Sequence, residues 1–311
     1  LDEMVLRASQ TIVDENIAEP ILVGDPAKIR ARAAELDIDL TGLRIVERPN
    51  EARLERYARL LAKERADHGV DVEKAKQLLR DNAYYGVMMV HSGDADGFVS
   101  GINRSYPDTI RPVLEIMPLK GGVSRVAGVY CIAVKNRVLF FADSTVNINP
   151  TAEELADIAL TTATLAKEQF GMDPRVAMIS FSNFGSVNHE FPRRMAEAAA
   201  IARSRRPDLV IDGEMAPDTA LVPEIAAAHF PESRIRGDAN VLIFPNVQSG
   251  NISLKLVQQL AGGEVIGPIL MGLSKPVNVL NYHTTVSEIV NITAITAVMA
   301  NDVQQRKEAV S

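Results

Sequence analysis

Tryptophan is absent, aromatic residues make up only 5% of the chain, and a single cysteine, Cys131, is found among 311 residues. One cysteine excludes an intrachain disulfide and favours a reducing compartment. Its setting, Val129-Tyr130-Cys131-Ile132-Ala133-Val134, marks it as a core strand residue rather than a nucleophile. No apolar run approaches the roughly 20 residues of a membrane-spanning helix, and no basic segment followed by an apolar one opens the chain. Neither a transmembrane helix nor a signal peptide is expected, which makes the cytoplasm the default location. Excess positive charge is missing too. With 33 Lys and Arg against 40 Asp and Glu, broad attachment to nucleic acid or to an anionic membrane is excluded. Any anionic ligand must be met by local arginines or backbone amides. Also lacking are GxxxxGKS/T, a GxGxxG after a strand, HExxH and CxxC. The histidines, His68, His91, His189, His229 and His283, show no metal-ligand spacing, so neither a metal nor a bound cofactor is expected in this chain.

What is present has the balance of a folded protein: 47% apolar and 23% charged residues, with 19 Gly and 16 Pro spread along the chain. This length divides more naturally into two domains than one. Short apolar runs alternate with segments of helical period, the pattern of mostly parallel sheets flanked by helices. Strands are expected at Ile21-Leu22-Val23, Arg44-Ile45-Val46, Gly86 to Val90, Val176 to Phe181, Leu209 to Ile211, Val241 to Phe244 and Val265 to Leu270. Val126 to Val134 and Val138 to Ala142 flank Lys135-Asn136-Arg137 as a hairpin. Residues 1–122 with 275–311 are read as the first α/β domain, and 123–274 as the second. The chain opens in a helical pattern at Leu1 without a preceding strand, so sequence upstream of Leu1 is expected. Thr151 with Glu154 and Thr285 with Glu288 read as capping boxes.

Ligands of open α/β sheets bind beyond the carboxyl ends of the strands. In the second half the loops at those ends are polar: Ser182-Asn183-Phe184-Gly185-Ser186, Asp212-Gly213-Glu214, and Pro245 to Asn251 opening a helix. Singly each is a turn or a cap, but together they favour a binding rim. No shared proton is expected between Asp212 and Glu214; solvated or capping carboxylates are expected.

In this order, Asp94 to Gly101, Asp108-Thr109-Ile110-Arg111-Pro112, Ala142 to Pro150, Met178 to Ser186, Asp212-Gly213-Glu214, Ala239 to Pro245, Gly250-Asn251-Ile252, Lys255 and Gly267-Pro268-Ile269 resemble phosphate acetyltransferases along nearly the whole chain. The resemblance implies two α/β domains of isocitrate/isopropylmalate dehydrogenase type, a ligand cleft between them, a homo-oligomer that is usually a dimer, and attack of the CoA thiol on acetyl phosphate. It assigns acetyl-CoA or phosphate binding to Arg111, Arg65, Ser100, Ser182, Asn183, Gly185, Asn251, Pro268, Ile269, Asn281 and Tyr282. Glu288 falls where the family has an Asp proposed as base for the thiol. The sequence departs from the family at Pro276 to His283, where active relatives read Pro-Val-x-Asp-Leu-Ser-Arg-Gly. Asn281 and Tyr282 replace the Ser and Arg, and neither supplies the lost cation. That departure, with Ser182-Asn183-Phe184-Gly185 and Asn188-His189-Glu190, resembles the C-terminal domain of hybrid NADP-dependent malic enzymes. The expectation from it is an acetyl-CoA-binding regulatory domain without transferase activity. Its partner would be an N-terminal malic enzyme domain that binds NADP and a divalent metal and decarboxylates malate to pyruvate. The alternative is an active phosphate acetyltransferase.

Overall fold

Aspartate, serine and threonine caps punctuate this chain, and most of its helices begin where such a side chain accepts the first free amides. The structure, a computed structural model, describes residues 2–47, 51–282 and 284–308; Leu1 and His283 lie outside them. Asp2 caps α1 (Glu3–Asp14) and Asp25 caps α2 (Pro26–Glu35), with β1 (Ile21–Val23) between them and β2 (Arg44–Val46) after. Then come α3 (Glu51–Glu64), α4 (Val72–Leu78), α5 (Asn82–Ser92), β3 (Phe98–Ser100) and α6 (Tyr106–Ile116). The central stretch holds β4 (Ala127–Val134), β5 (Arg137–Ala142), α7 (Ala152–Glu168), β6 (Arg175–Ile179), α8 (Glu190–Arg205) and β7 (Val210–Met215). It continues with α9 (Pro217–Leu221), α10 (Pro223–His229), β8 (Val241–Ile243), α11 (Val247–Ala261) and β9 (Glu264–Met271). The chain ends with β10 (Val277–Val279) and α12 (Val286–Glu308).

Two units result, Leu1–Pro118 with Leu273–Ser311, and Leu119–Gly272. The crossings come at 118–119 and 272–273, where the sequence suggested 122 and 274. In the first unit the sheets are small parallel pairs, β1 with β2 and β3 with β10. Leu6, Ile29, Ala33 and Ile38 pack over the first pair.

The expected strand at Gly86 to Val90 is corrected: it lies in α5. Asp81 caps this helix by accepting from the Ala83 and Tyr84 amides, and residues 83–90 are all buried. A helix wrapped on every side by protein has no polar face, so its apolar run looks like a buried strand. Gly86 is where the Phe98 side chain of β3 lies against it; a Cβ there would stand 2.1 Å from the ring.

The second unit is one six-stranded sheet, ordered β7-β6-β8-β5-β4-β9. β5, β8, β6 and β7 run parallel, and β4 pairs antiparallel with both β5 and β9. The carboxyl ends of β5, β6, β7 and β8 therefore share one edge. Ile132, Phe141, Ala177, Leu242 and Leu254 belong to its core. Cys131 is buried in β4, and burial pushes its thiol up to about 11, which keeps it protonated and inert. Among the described residues no helix is long and apolar enough to cross a membrane.

Candidate functional site

In the second unit, two strand-end loops are built around buried carboxylates. Ala142 ends β5, and the next residue, Asp143, is 2% exposed. Its Oδ1 accepts from the amides of Gly128 at 3.2 Å, Thr145 at 2.8 Å and Val146 at 3.1 Å, and its Oδ2 from the Asn147 amide at 2.8 Å and side chain. Buried and saturated in this way, the carboxylate serves as the hub of the Ser144 to Asn147 turn. That turn meets α11, where the Val247 amide donates to the Asn147 carbonyl at 3.0 Å and Asn251 Nδ2 to the Ser144 carbonyl at 3.1 Å. Asn246 caps α11 through the Ser249 amide at 2.9 Å.

Glu214 organises the loop after β6. It is 3% exposed, and its Oε1 accepts from Ser182 Oγ at 3.1 Å and from the Gly185 amide at 2.6 Å. Asn183 Oδ1 accepts from the Ala216 amide at 2.8 Å. Ser182, Asn183 and Gly185 thus come together with β7. The expectation of solvated carboxylates at 212 and 214 is corrected, since both are buried. Asp212 faces elsewhere, to Arg203 Nη1 at 3.2 Å and the Arg234 amide at 2.8 Å. Burial was hidden because the partners of Glu214 lie about thirty residues upstream. Pro268 and Ile269 are buried inside β9, with Ile269 paired with Val129.

In the first unit the parallel pair β3 and β10 makes a second rim. The Leu280 amide donates to the Ser100 carbonyl at 2.7 Å. Gly101, at φ +127°, brings the two loops so close that a Cβ would stand 2.3 Å from the Leu280 carbonyl. Helices start just beyond: α6 at Tyr106, capped by Ser105, and α12 at Val286. Asn281 and Tyr282 stand between β10 and α12, with Tyr282 54% exposed. Arg111 on α6 is exposed and has no ion pair among the described residues. Its charge acts on Tyr84, whose phenol is pushed up by burial and by its bond to Glu115. Glu288 Oε2 accepts from the Thr285 amide at 2.6 Å and hydroxyl at 3.0 Å, while the Glu288 amide returns to Thr285 Oγ1 at 3.2 Å. Both arms of the capping box are made. Arg65 sits at the turn after α3, and no hydrogen bond or ion pair ties it to this rim.

Glu288 is thereby a helix-start residue, and its replacements separate two effects. Glu288→Ala is expected to cost about 1 kcal/mol of stability, whereas Glu288→Gln, which preserves both capping bonds, keeps the melting temperature. Chemical denaturation of the two variants checks this.

Arg104 and Asp81 were not singled out by the sequence. Arg104 Nη1 donates to Asp81 Oδ1 at 2.6 Å. Burial alone would raise Asp81, but the bond from Arg104 and the capping amide of Ala83 hold it below its ordinary value of 3.8. A depressed carboxylate contributes stability above its unfolded value and loses it as pH falls through the folded one. The melting-temperature gap between wild type and Asp81→Asn is therefore widest near neutrality and closes below 3.8.

Capped helix starts and saturated buried carboxylates at the carboxyl ends of parallel strands, with the exposed Arg111 on the helix that follows one of them, define an α/β protein suited to a small anionic ligand. The chain belongs to the phosphate acetyl/butaryl transferase family, whose model matches residues 1–297. A phosphate acetyltransferase of Clostridium acetobutylicum is 41% identical over 301 residues, 95% of this chain and 90% of that protein. One from Nitratidesulfovibrio vulgaris is 41% identical over 299 residues; the chain spans only 42% of that longer relative. The crystal structure of a phosphotransacetylase from Streptococcus pyogenes superposes with a TM-score of 0.92 at 40% identity, covering 97% of this chain and 92% of that one.

These relatives correct the expectation of a malic enzyme's acetyl-CoA-sensing domain. They are phosphate acetyltransferases, matched over nine-tenths of their own length in the Clostridium and Streptococcus cases. The associated NADP, oxidoreductase activity, divalent metal and malic enzyme partner are unsupported. Asn281 and Tyr282, with the wording of Ser182 to Gly185 and Asn188 to Glu190, carried that expectation, and a few local segments weigh less than identity along the whole chain.

Proposed function

We propose that this chain is a phosphate acetyltransferase that moves an acetyl group between CoA and phosphate in the cytoplasm. The observation that carries this is the match to phosphate acetyltransferases at about 40% identity across 90–92% of their length. In the forward direction the CoA thiol sulfur bonds to the carbonyl carbon of acetyl phosphate. The carbon–oxygen bond to the phosphate breaks, the electron pair leaves on that oxygen, and the thiol proton ends on the released phosphate. No metal or oxidant enters this balance.

Arg111 is assigned to the phosphate. A guanidinium matches a tetrahedral oxyanion through two parallel N–H donors, and among the described residues no carboxylate is ion-paired with it. Ser100, Asn281 and Tyr282 supply neutral donors on the same rim, placed by β3 and β10. Asn281 and Tyr282 are then variations within a working site. The loops of Ser182, Asn183, Gly185 and Asn251 are assigned to CoA, their backbones held by Glu214 and the Asp143 turn. Formation of acetyl-CoA from acetyl phosphate and CoA by the purified chain is the test. Saturable turnover supports the assignment, and turnover with butyryl phosphate alone would move it to a longer acyl group. No turnover with either, despite tight acetyl-CoA binding, would defeat it.

A further inference from the structure

The positive charge missing at position 282 has a counterpart in the loop after β3. Arg104 lies in the turn between β3 and α6, its amide donating to the Gly101 carbonyl at 3.3 Å. Its guanidinium is held from behind by Asp81, and Asp81 is itself fixed, because the same oxygen caps α5 through Ala83 at 2.8 Å. Five N–H donors belong to a guanidinium. Asp81 engages Nη1, and the side chain retains 35% exposure. Arg104 is thus pre-oriented and still has donors to give, which lowers the ordering cost of binding an anion.

Its surroundings say where those donors lie. Tyr282 is within electrostatic range of Arg104, as is Asp108 on the first turn of α6. Arg104 precedes α6 and Arg111 lies on it, and the charges of Asp81, which pairs with Arg104, and of Arg111 both act on Tyr84 of α5. The Ser100–Leu280 bond and the close approach at Gly101 keep the two loops in a fixed relation.

We propose that Arg104 is a second phosphate-binding arginine, gripping the phosphate end of the acyl phosphate beside Arg111 and Tyr282. It takes over from the β3 side the charge that the family motif carries at 282 on the β10 side. The inference rests on the phosphate acetyltransferase reading for its ligand. As the carbon–oxygen bond breaks, charge gathers on the departing phosphate, and a cation fixed by Asp81 meets it without rearrangement.

Three variants of the full chain test it: Arg104→Gln, Arg104→Lys, and the double variant Arg104→Gln with Tyr282→Arg. Each is assayed with acetyl phosphate and CoA varied in turn, and titrated calorimetrically with acetyl phosphate. Arg104→Gln is expected to raise the KM for acetyl phosphate about 10- to 100-fold and leave the KM for CoA unchanged. Arg104→Lys, which keeps the charge and the Asp81 pairing, falls between wild type and Arg104→Gln. The double variant recovers most of the loss, a rescue that a purely structural Arg104–Asp81 tie would not give. An unchanged KM for acetyl phosphate, an equal rise in both KM values, or absence of rescue overturns the proposal. If wild type shows no turnover, the transferase reading fails and calorimetry decides alone. Tight acetyl phosphate binding that weakens at least about tenfold in Arg104→Gln supports the arginine's role. Equal binding by both, or none by wild type, removes it.

Discussion

Replacing Arg111 with glutamine is expected to lower kcat/KM for acetyl phosphate about 10²–10³-fold while leaving the melting temperature unchanged. Both halves follow from its position. The guanidinium is exposed on α6, with no carboxylate pairing among the described residues, so the fold loses little with it. The substrate loses a preorganised cation where negative charge develops, and a neutral amide does not replace one. The loss should appear in kcat as well as KM, because the charge on phosphate grows as the bond breaks. Steady-state kinetics with a parallel thermal melt checks it. A variant as fast as wild type would return Arg111 to the ordinary surface.

Asp143→Ala has the largest effect expected on folding. The side chain accepts from four backbone amides and from the Asn147 amide group, in a site 2% exposed. Truncation strands those donors where water does not freely replace the carboxylate. At about 1–3 kcal/mol per unsatisfied buried group, several together exceed about 4 kcal/mol, a large share of a domain's whole stability. The variant should be recovered mostly unfolded, or melt far below wild type. Asp143→Asn retains only part of the acceptor capacity and should fall between. Urea denaturation of the pair measures this, and near-wild-type stability of Asp143→Ala would contradict the hub role.

The second unit was legible in the sequence because its strands are long and its turns carry polar signals. Val126 to Ala142 gave the hairpin, and the strands near 176, 209, 241 and 265 each stand in the sheet. The first unit was harder. Its strands are three residues long; β1 and β2 were still read, but β3 and β10, which include Ser100 and Asn278, lack an unbroken apolar run and were passed over. Helix α5 passed for a strand because burial on all sides erased its polar face. Capping boxes at Thr151 and Thr285 were legible because both partners lie within one turn. Partners distant in sequence were not: Glu214 on Gly185, Asp143 on Gly128, and Arg104 on Asp81 exist only once strands or helices bring them side by side. The same limit explains the weight first given to Asn281 and Tyr282. A missing arginine at 282 is plain in the sequence, while the electrostatic reach of Arg104 to Tyr282 appears only in three dimensions.

Release of free CoA thiol from acetyl-CoA, followed with and without inorganic phosphate, tests the central claim most directly. A phosphate acetyltransferase predicts thiol release that requires phosphate, saturates with it, and yields one acetyl phosphate per thiol. Saturable acetyl-CoA binding with no phosphate-dependent release would contradict it.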